Sequence, residues 1–200
     1  MSEKSQLGMV LIISGPSGVG KDTVWKAAQP CLPSFQRAIT CTTRERRPGE
    51  VEGVNYYFVS KDEFERMIHE DELLEYALVH QEHFYGVPQK SVLNRINNGE
   101  DVVCVIDVQG ARRIRSLFPT AVLIFIKPPE GREAEVLTQR ITGRDPVEES
   151  ELSRRLASAW EELSQVEFYD YQIVNDELDR AAAELCELIE KVKAERDAEF

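Results

Sequence analysis

A glycine-rich stretch, Gly15-Pro16-Ser17-Gly18-Val19-Gly20-Lys21, carries the clearest chemical signal in the chain. It follows the apolar run from Met9 to Ser14 and precedes a segment with the pattern of a helix start. Glycines let backbone N–H groups converge on phosphate oxygens, because no Cβ blocks the approach or the positive φ angles. A helix N-terminus and the ammonium group of Lys21 add positive charge. The stretch therefore predicts a cradle for the phosphates of a nucleoside triphosphate.

The residue after this lysine is Asp22, where such loops usually have a hydroxyl residue. A carboxylate is a hard oxygen ligand, so Asp22 is a candidate to hold Mg²⁺ directly or through water. Thr23 cannot simply substitute for it, because the next residue of a helix points about 100° away.

A loop with three arginines, Arg44, Arg46 and Arg47, is a candidate second anion site. Arginine binds phosphate with two parallel hydrogen bonds and stays charged, so the loop suits a phosphorylated ligand. A solvated, charged surface loop is the alternative interpretation.

Further arginines bracket the stretch Gly143-Arg144-Asp145-Pro146, namely Arg140, Arg154 and Arg155. A flap carrying arginines over a triphosphate would neutralise charge that develops on the transferred phosphoryl group. Ordinary pairing with nearby glutamates along two exposed helices is the alternative.

Two carboxylates accompany apolar strands. Asp107 ends the run from Asp101, at the strand end where open parallel sheets bind ligands, and it can hold Mg²⁺ directly or through water. Capping of the following helix is a compatible alternative for Asp107. Glu75 lies within Leu73-Leu74-Glu75-Tyr76, and a carboxylate can accept the paired N–H groups that guanine offers.

The elements that must position these groups alternate between strands and helices. Apolar strands over 101–107 and 121–126 indicate a parallel sheet covered on both faces. The later helices are predicted over about 132–141, 148–166 and 178–196. The segment from about 37 to 85 predicts a small mostly-β insertion, with strands over 37–42 and 54–59, a helix capped by Ser60, and Phe84-Tyr85-Gly86-Val87 in a loop.

Composition narrows the function classes. The 200 residues suit one domain with small inserted lobes, and the net charge of −12 argues against general basic attraction to nucleic acid. No apolar run approaches the roughly 20 residues that a membrane helix needs. The four cysteines have no metal-ligand spacing and indicate free thiols in a reducing compartment. We therefore expect a cytoplasmic protein with neither nucleic acid nor membrane as a partner.

Taken together, several separated motifs resemble the guanylate kinase family, from Gly8 to about Lys193. They are Ser14 to Lys21, Thr42-Thr43-Arg44, Arg47-Pro48-Gly49-Glu50, Tyr56 to Val59, Glu75, Phe84-Tyr85-Gly86, Ile106 to Gly110 and Ile173 to Asp176. The resemblance implies transfer of the γ-phosphoryl group of ATP to GMP, giving ADP and GDP, with Mg²⁺. It implies an α/β fold whose three-layer P-loop core, with a parallel sheet, comprises 1–36 and 88–200, with a short lid at about 138–155. A small mostly-β lobe at 37–87 would bind GMP.

The resemblance also implies roles for individual residues. The ATP site would comprise Gly15, Pro16, Ser17, Gly18, Val19, Gly20, Lys21, Asp22, Thr23 and Asn175. The GMP site would comprise Thr40, Arg44, Arg47, Tyr56, Glu75, Tyr85 and Asp107. The catalytic residues would be Lys21, Arg44, Arg140, Arg144 and Arg155, and the candidates for the metal are Asp22 and Asp107.

Four positions depart from the family pattern: Asp22 replaces a hydroxyl residue, Val87 a Ser or Thr that contacts guanine, Val105 an acid, and Asp145 a lid glycine.

Three other functions are alternatives to the one that the resemblance implies. A kinase for another small phosphate is opposed by the set Tyr56, Glu75 and Tyr85, and a non-catalytic scaffold module by the intact phosphate loop. A GTP-dependent switch is opposed by the lack of an Asn-Lys-x-Asp element. The oligomeric state stays open, with a homodimer as one expectation.

Overall fold

The computed structural model describes residues 7–79, 82–143 and 148–198. Its strands are β1 (Val10–Ser14), β2 (Phe35–Arg37), β3 (Cys41–Thr42), β4 (Tyr57–Phe58), β5 (Leu73–Val79), β6 (His83–Pro88), β7 (Asp101–Val105), β8 (Val122–Lys127) and β9 (Tyr171–Val174). Its α-helices are α1 (Lys21–Ala28), α2 (Lys61–His69), α3 (Gln89–Asn97), α4 (Val108–Leu117), α5 (Glu133–Thr142), α6 (Glu149–Leu163) and α7 (Leu178–Ala198).

The larger sheet has five strands in the order β2-β7-β1-β8-β9. Strand β2 pairs in parallel with β7, and β8 pairs in parallel with β9. Every residue of β1 and β7 is buried, as expected for parallel strands covered on both faces. The predicted α/β class with a parallel sheet is confirmed.

The smaller sheet has four strands in the order β4-β3-β6-β5. It is mixed, because β3 pairs in parallel with β4 whereas β6 is antiparallel to both β3 and β5. Its core is built around Cys41, Phe64 and Leu73, and the Phe64 ring of α2 stacks on the ring of Phe84 at 5.2 Å. The predicted small β sheet is thus confirmed as a separate sheet.

Two local predictions in this region are wrong. The single strand over 37–42 is two short strands in different sheets, β2 in the larger and β3 in the smaller. The loop predicted for 84–87 is the middle of β6, which pairs on both sides. The pairing partners of both segments are distant in sequence, so local patterns do not reveal them.

The structure confirms the helix caps that the sequence predicts. Ser60 caps α2 by accepting a hydrogen bond from the Glu63 N–H at 3.1 Å, and Asp107 caps α4 through the Gly110 N–H at 2.8 Å. Helix α1 ends at Ala28, before Pro30, as proline requires. None of the helices in the described ranges is long and apolar enough to cross a membrane.

Internal packing divides the chain into two units. Unit one comprises residues 1–12 and 34–123, and unit two comprises 13–33 and 124–200. The glycine-rich loop lies in unit two, whereas the arginine loop and the smaller sheet lie in unit one. The 37–87 boundaries of the GMP-binding lobe and the 138–155 lid stay predictions.

Candidate active site

The glycine-rich loop of unit two adopts backbone conformations that only glycine takes easily. Gly15, Gly18 and Gly20 have φ values of +141°, +83° and +95°. A Cβ on Gly15 would lie 2.1 Å from the Ile126 carbonyl oxygen, and one on Gly20 would lie 2.8 Å from Nδ2 of Asn175. The close approaches explain why glycines recur in this stretch.

Lys21 begins α1 directly after the loop. Its ammonium group donates hydrogen bonds to the carbonyl oxygens of Gly15 at 2.5 Å and Pro16 at 3.3 Å. The positive charge is therefore held over the loop, next to the N-terminal end of a helix where anions are stabilised.

Arg140 and Asn175 hold the middle of the loop. The Val19 carbonyl oxygen accepts hydrogen bonds from Nη1 of Arg140 and Nδ2 of Asn175, both at 2.8 Å. Arg140 also donates to the Asn175 carbonyl oxygen at 2.8 Å. Both side chains reach the loop from elements distant in sequence, so the structure brings together residues that the sequence placed far apart.

A cavity of about 400 Å³ lies beside this part of the loop. Its lining includes Gly18, Gly20, Thr23, Arg140, Asn175 and Asp176. The predicted ATP residues Thr23 and Asn175 thus border one cavity with two loop glycines.

Arg155 of α6 reaches the beginning of the loop. It is only 9% exposed, and it donates to the hydroxyl of Ser17 at 3.3 Å while its guanidinium lies 3.5 Å from Glu151. Helix packing thus delivers a buried arginine to the phosphate loop. Arg144, also predicted as catalytic, and Asp145 lie outside the described residues.

Arg44 is the centre of the candidate anion site in unit one, where it is 8% exposed. It donates to the Tyr85 hydroxyl at 3.1 Å and to the Glu50 carboxylate at 2.8 Å, and it lies 5.6 Å above the Tyr56 ring. Burial alone would lower the pKa of Arg44, but its contacts with Glu50 and Tyr85 outweigh that effect and raise the pKa. The interpretation as a solvated surface arginine is therefore wrong for Arg44.

The neighbouring predicted residues Arg47, Tyr56 and Tyr85 are linked to Arg44 by ring contacts and by a shared carboxylate. The Tyr56 and Tyr85 rings meet edge to face at 5.9 Å. The Arg47 N–H donates to Glu50 at 2.8 Å, so one carboxylate ties Arg44 and Arg47 together. Arg44 also holds the pKa of Glu50 below its ordinary value despite partial burial. We describe Arg44, Arg47, Tyr56 and Tyr85 as the arginine–tyrosine pocket.

Glu75 is 4% exposed in β5. Its strand partner across the ladder is Val87, a buried apolar residue, and the pairing register shifts between Leu73 and Glu75. Such irregularities re-aim side chains and recur beside active sites. Burial, with a smaller contribution from the charge of Asp107, raises the pKa of Glu75 to about 8.

The N-terminal turn of α4 packs against this carboxylate. A Cβ on Gly110 would lie 2.6 Å from Oε2 of Glu75, so a glycine is needed for the carboxylate to sit there. Asp107 caps the same turn, which confirms its predicted structural alternative. Thr40, also predicted for the GMP site, is buried in the same unit, and its carbonyl oxygen accepts the Tyr57 N–H at 2.9 Å.

The metal candidates are single carboxylates. Within the described ranges no cluster of three or more His, Cys, Asp or Glu side chains could hold a metal ion. Asp22 lies in the first turn of α1, beside Lys21. Mg²⁺ commonly takes one or two carboxylates together with substrate phosphates, so the donor set fits a nucleotide-bound ion.

Comparison with known proteins shows which family the chain belongs to. The sequence model of the family described as guanylate kinase matches residues 8–192. The chain belongs to the guanylate kinase family.

Individual relatives agree over nearly full length. The guanylate kinase of Caldanaerobacter subterraneus subsp. tengcongensis is 44% identical over 202 residues, covering 100% of this chain and 96% of the relative. That of Gloeobacter violaceus is 45% identical over 181 residues, covering 90% and 86%. The crystal structure of guanylate kinase from Anaplasma phagocytophilum superposes with a TM-score of 0.73 at 31% identity, covering 94% of this chain and 87% of that chain.

Three residues of the guanylate kinase sites carry no role in the sequence predictions: Glu50, Gly110 and Glu162. Glu50 and Gly110 belong to motifs that the sequence analysis quotes, and only their partners Arg44 and Glu75 reveal what they do. Glu162 accepts a hydrogen bond from the Ser17 N–H at 3.1 Å, and no local pattern marks it among the other glutamates of α6.

Proposed function

We propose that GMP binds unit one, with its phosphate in the arginine–tyrosine pocket and its base at Glu75, and that the triphosphate of ATP binds the glycine-rich loop of unit two. The chain is a guanylate kinase, an ATP:GMP phosphotransferase. The observation that carries the assignment of GMP is a buried carboxylate, Glu75, in the same unit as a buried, fully charged Arg44. Guanine offers donors to the first, and a phosphate offers acceptors to the second.

The residues then divide the work of phosphoryl transfer. Lys21 and the loop N–H groups neutralise the transferring phosphates, and Arg140 and Arg155 stabilise charge that develops in the transition state. Arg44 holds the acceptor phosphate in a fixed orientation, since Glu50 and Tyr85 set the plane of its guanidinium. Thr40 and Asp107 assist Glu75 at the base, and Arg144 acts with Arg140 in the lid.

A coupled assay of ADP release tests this division. ATP with GMP should give rapid turnover, whereas AMP, UMP and ribose bisphosphate should not. Turnover with ribose bisphosphate and not with GMP would refute the base-reading assignment and favour the kinase of another small phosphate.

Protonation of Glu75 should make GMP binding dependent on pH. Only the ionised carboxylate accepts both guanine N–H groups. Because the pKa of Glu75 is about 8, this carboxyl group is mostly protonated at pH 7 in the free protein. We expect KM for GMP to fall about tenfold between pH 7 and pH 9, following the ionised fraction. The range lies above the second pKa of a phosphate monoester, which is about 6.

Steady-state kinetics over this range measure the effect, and Glu75→Gln is the matched control, whose KM should not change with pH. The buried thiols of Cys41 and Cys104 stay neutral here, because burial raises the pKa of each to about 12. A flat KM profile in the unmodified enzyme would contradict the prediction.

The raised pKa of Glu75 also predicts how stability depends on pH. In the free protein the free energy of unfolding should fall as pH rises from about 4.5 to about 8, because Glu75 holds a proton in the folded state that it loses in the unfolded state.

Mg²⁺ is the cofactor we propose, with Asp22 and Asp107 as its candidate protein ligands. When bound, the ion neutralises charge on the ATP phosphates. Asp22→Ala should raise the Mg²⁺ concentration for half-maximal rate by about tenfold, because one carboxylate is lost and no other oxygen replaces it. Asp179→Ala, which removes a carboxylate from the first turn of α7, is the control. Equal Mg²⁺ dependence of the two variants would exclude Asp22 from the metal site.

We further propose a cellular compartment and an oligomeric state for the enzyme. The substrates ATP and GMP, together with the free buried thiols of Cys41, Cys104 and Cys186, support action in the cytoplasm. A homodimer stays a prediction, which light scattering of the purified protein measures.

A further inference from the structure

One face of α6 contacts the first part of the glycine-rich loop at two points. The Glu162 carboxylate accepts a hydrogen bond from the Ser17 N–H at 3.1 Å, and the Arg155 guanidinium donates to the Ser17 hydroxyl at 3.3 Å. Arg155 and Glu162 are seven positions apart, which is two helical turns, so they share one face of the helix. A single loop residue is therefore held through both its backbone and its side chain.

The burial of Arg155 explains why this contact needs to be firm. A buried guanidinium is stable only where its charge and its N–H groups have partners. Glu151 and Ser17 supply such partners, but Ser17 is within reach only if α6 sits at one distance from the loop. A charge-assisted hydrogen bond from a backbone N–H to Glu162 is strong enough to set that distance.

A carboxylate on a phosphate-loop N–H could instead imitate a phosphate oxygen and compete with ATP. The KM for ATP of Glu162 variants distinguishes this alternative from anchoring. The cavity of about 400 Å³ is lined by Gly18, Gly20, Thr23 and their neighbours, and its lining includes neither Ser17 nor Glu162. Glu162 thus contacts the loop away from that cavity.

We propose that Glu162 is a positioning residue, which anchors α6 to Ser17 and so holds Arg155 at the phosphate loop for phosphoryl transfer. The inference rests on the proposed function, because it takes the catalytic role of Arg155 from there. It assigns Glu162 no contact with either substrate.

Kinetics of a double-mutant cycle test the proposal. Glu162→Ala should lower kcat about ten- to a hundredfold, the worth of one charge-assisted hydrogen bond, with KM for GMP unchanged. Glu162→Gln should recover most of the rate, since its amide oxygen still accepts from the Ser17 N–H. Glu161→Gln, a change at the adjacent exposed glutamate, should retain wild-type kinetics.

The cycle also separates anchoring from the other possibilities. The double variant Glu162→Ala, Arg155→Ala should be no slower than Arg155→Ala alone, because both changes remove the same function. A lower KM for ATP with kcat unchanged in the Glu162 variants would overturn the proposal in favour of competition, and additive losses in the double variant would also overturn it.

The Arg155→Ala variant tests the catalytic role of Arg155 independently of the anchoring role of Glu162. A wild-type kcat in Arg155→Ala would refute that assignment, whereas a reduced kcat there with wild-type kcat in Glu162→Ala would refute only the anchoring. Thermal unfolding confirms that each variant is folded. Should Glu162→Ala not fold, Glu162→Met carries the same cycle, because methionine suits a helix and has no carboxylate or amide oxygen to accept from the Ser17 N–H.

Discussion

Replacing Lys21 by alanine is expected to lower kcat by about 10²–10³, the cost of removing one preorganised group that stabilises transition-state charge. The ammonium group lies 2.5 Å from the Gly15 carbonyl oxygen, so the loop itself orients the charge before phosphates arrive. The loss should appear in kcat more than in KM for GMP, because Lys21 belongs to unit two and we place GMP on unit one.

A second lysine of the same helix provides the matched control for this variant. Lys26 is exposed in the last turn of α1, so Lys26→Ala removes the same charge from the same helix, away from the loop. It should retain wild-type kcat, and both variants should keep the thermal stability of the parent. A Lys21→Ala enzyme with near-normal turnover would remove the loop from the phosphoryl-transfer machinery.

Replacing Glu75 by glutamine is expected to lower kcat/KM for GMP by about 10²–10⁴, while leaving the affinity for ATP intact. The two side chains have the same shape, but the amide presents N–H donors towards the donors of guanine. Each lost hydrogen bond to a charged group is worth about 1.5–3 kcal/mol, and guanine makes two of them with a carboxylate. Val87, buried opposite Glu75, supplies no hydroxyl that could compensate.

Discrimination is the measurement that tests Glu75 directly. The ratio of kcat/KM for GMP over AMP should collapse in the variant, because the rate with AMP never depended on this carboxylate. Glu72→Gln changes an acidic residue just before β5 and should keep the ratio. An unchanged preference for GMP in Glu75→Gln would exclude Glu75 from reading the base.

Some of the site was predictable because its signals are local. The glycines before Lys21 predicted backbone conformations that a Cβ would obstruct. In the structure Gly15, Gly18 and Gly20 all have positive φ. Glu75 is conspicuous as a charge within an apolar strand, and its burial bears out that contrast. Ser60 and Asp107 are recognisable as caps, because a cap and the N–H that it accepts from are three residues apart.

Other parts were not predictable because they depend on pairings across the chain. Strands β2 and β3 follow one another with no turn signal, and only their partners, β7 in one sheet and β6 in the other, separate them. The same holds for β6, whose Tyr85-Gly86 segment has loop-like composition but pairs on both edges.

The sequence by itself determined the α/β class, the phosphate loop and the identity of the charged residues. The reason is that backbone conformation and periodic burial depend on residues that are close together in the chain. Only the tertiary structure decided that Glu50 orients Arg44, that Gly110 makes room for Glu75, and that Glu162 reaches Ser17. Glu75 and Gly110 are 35 positions apart, and Ser17 and Glu162 are 145 apart. In all three pairs the contact depends on distances that packing sets to a few tenths of an ångström.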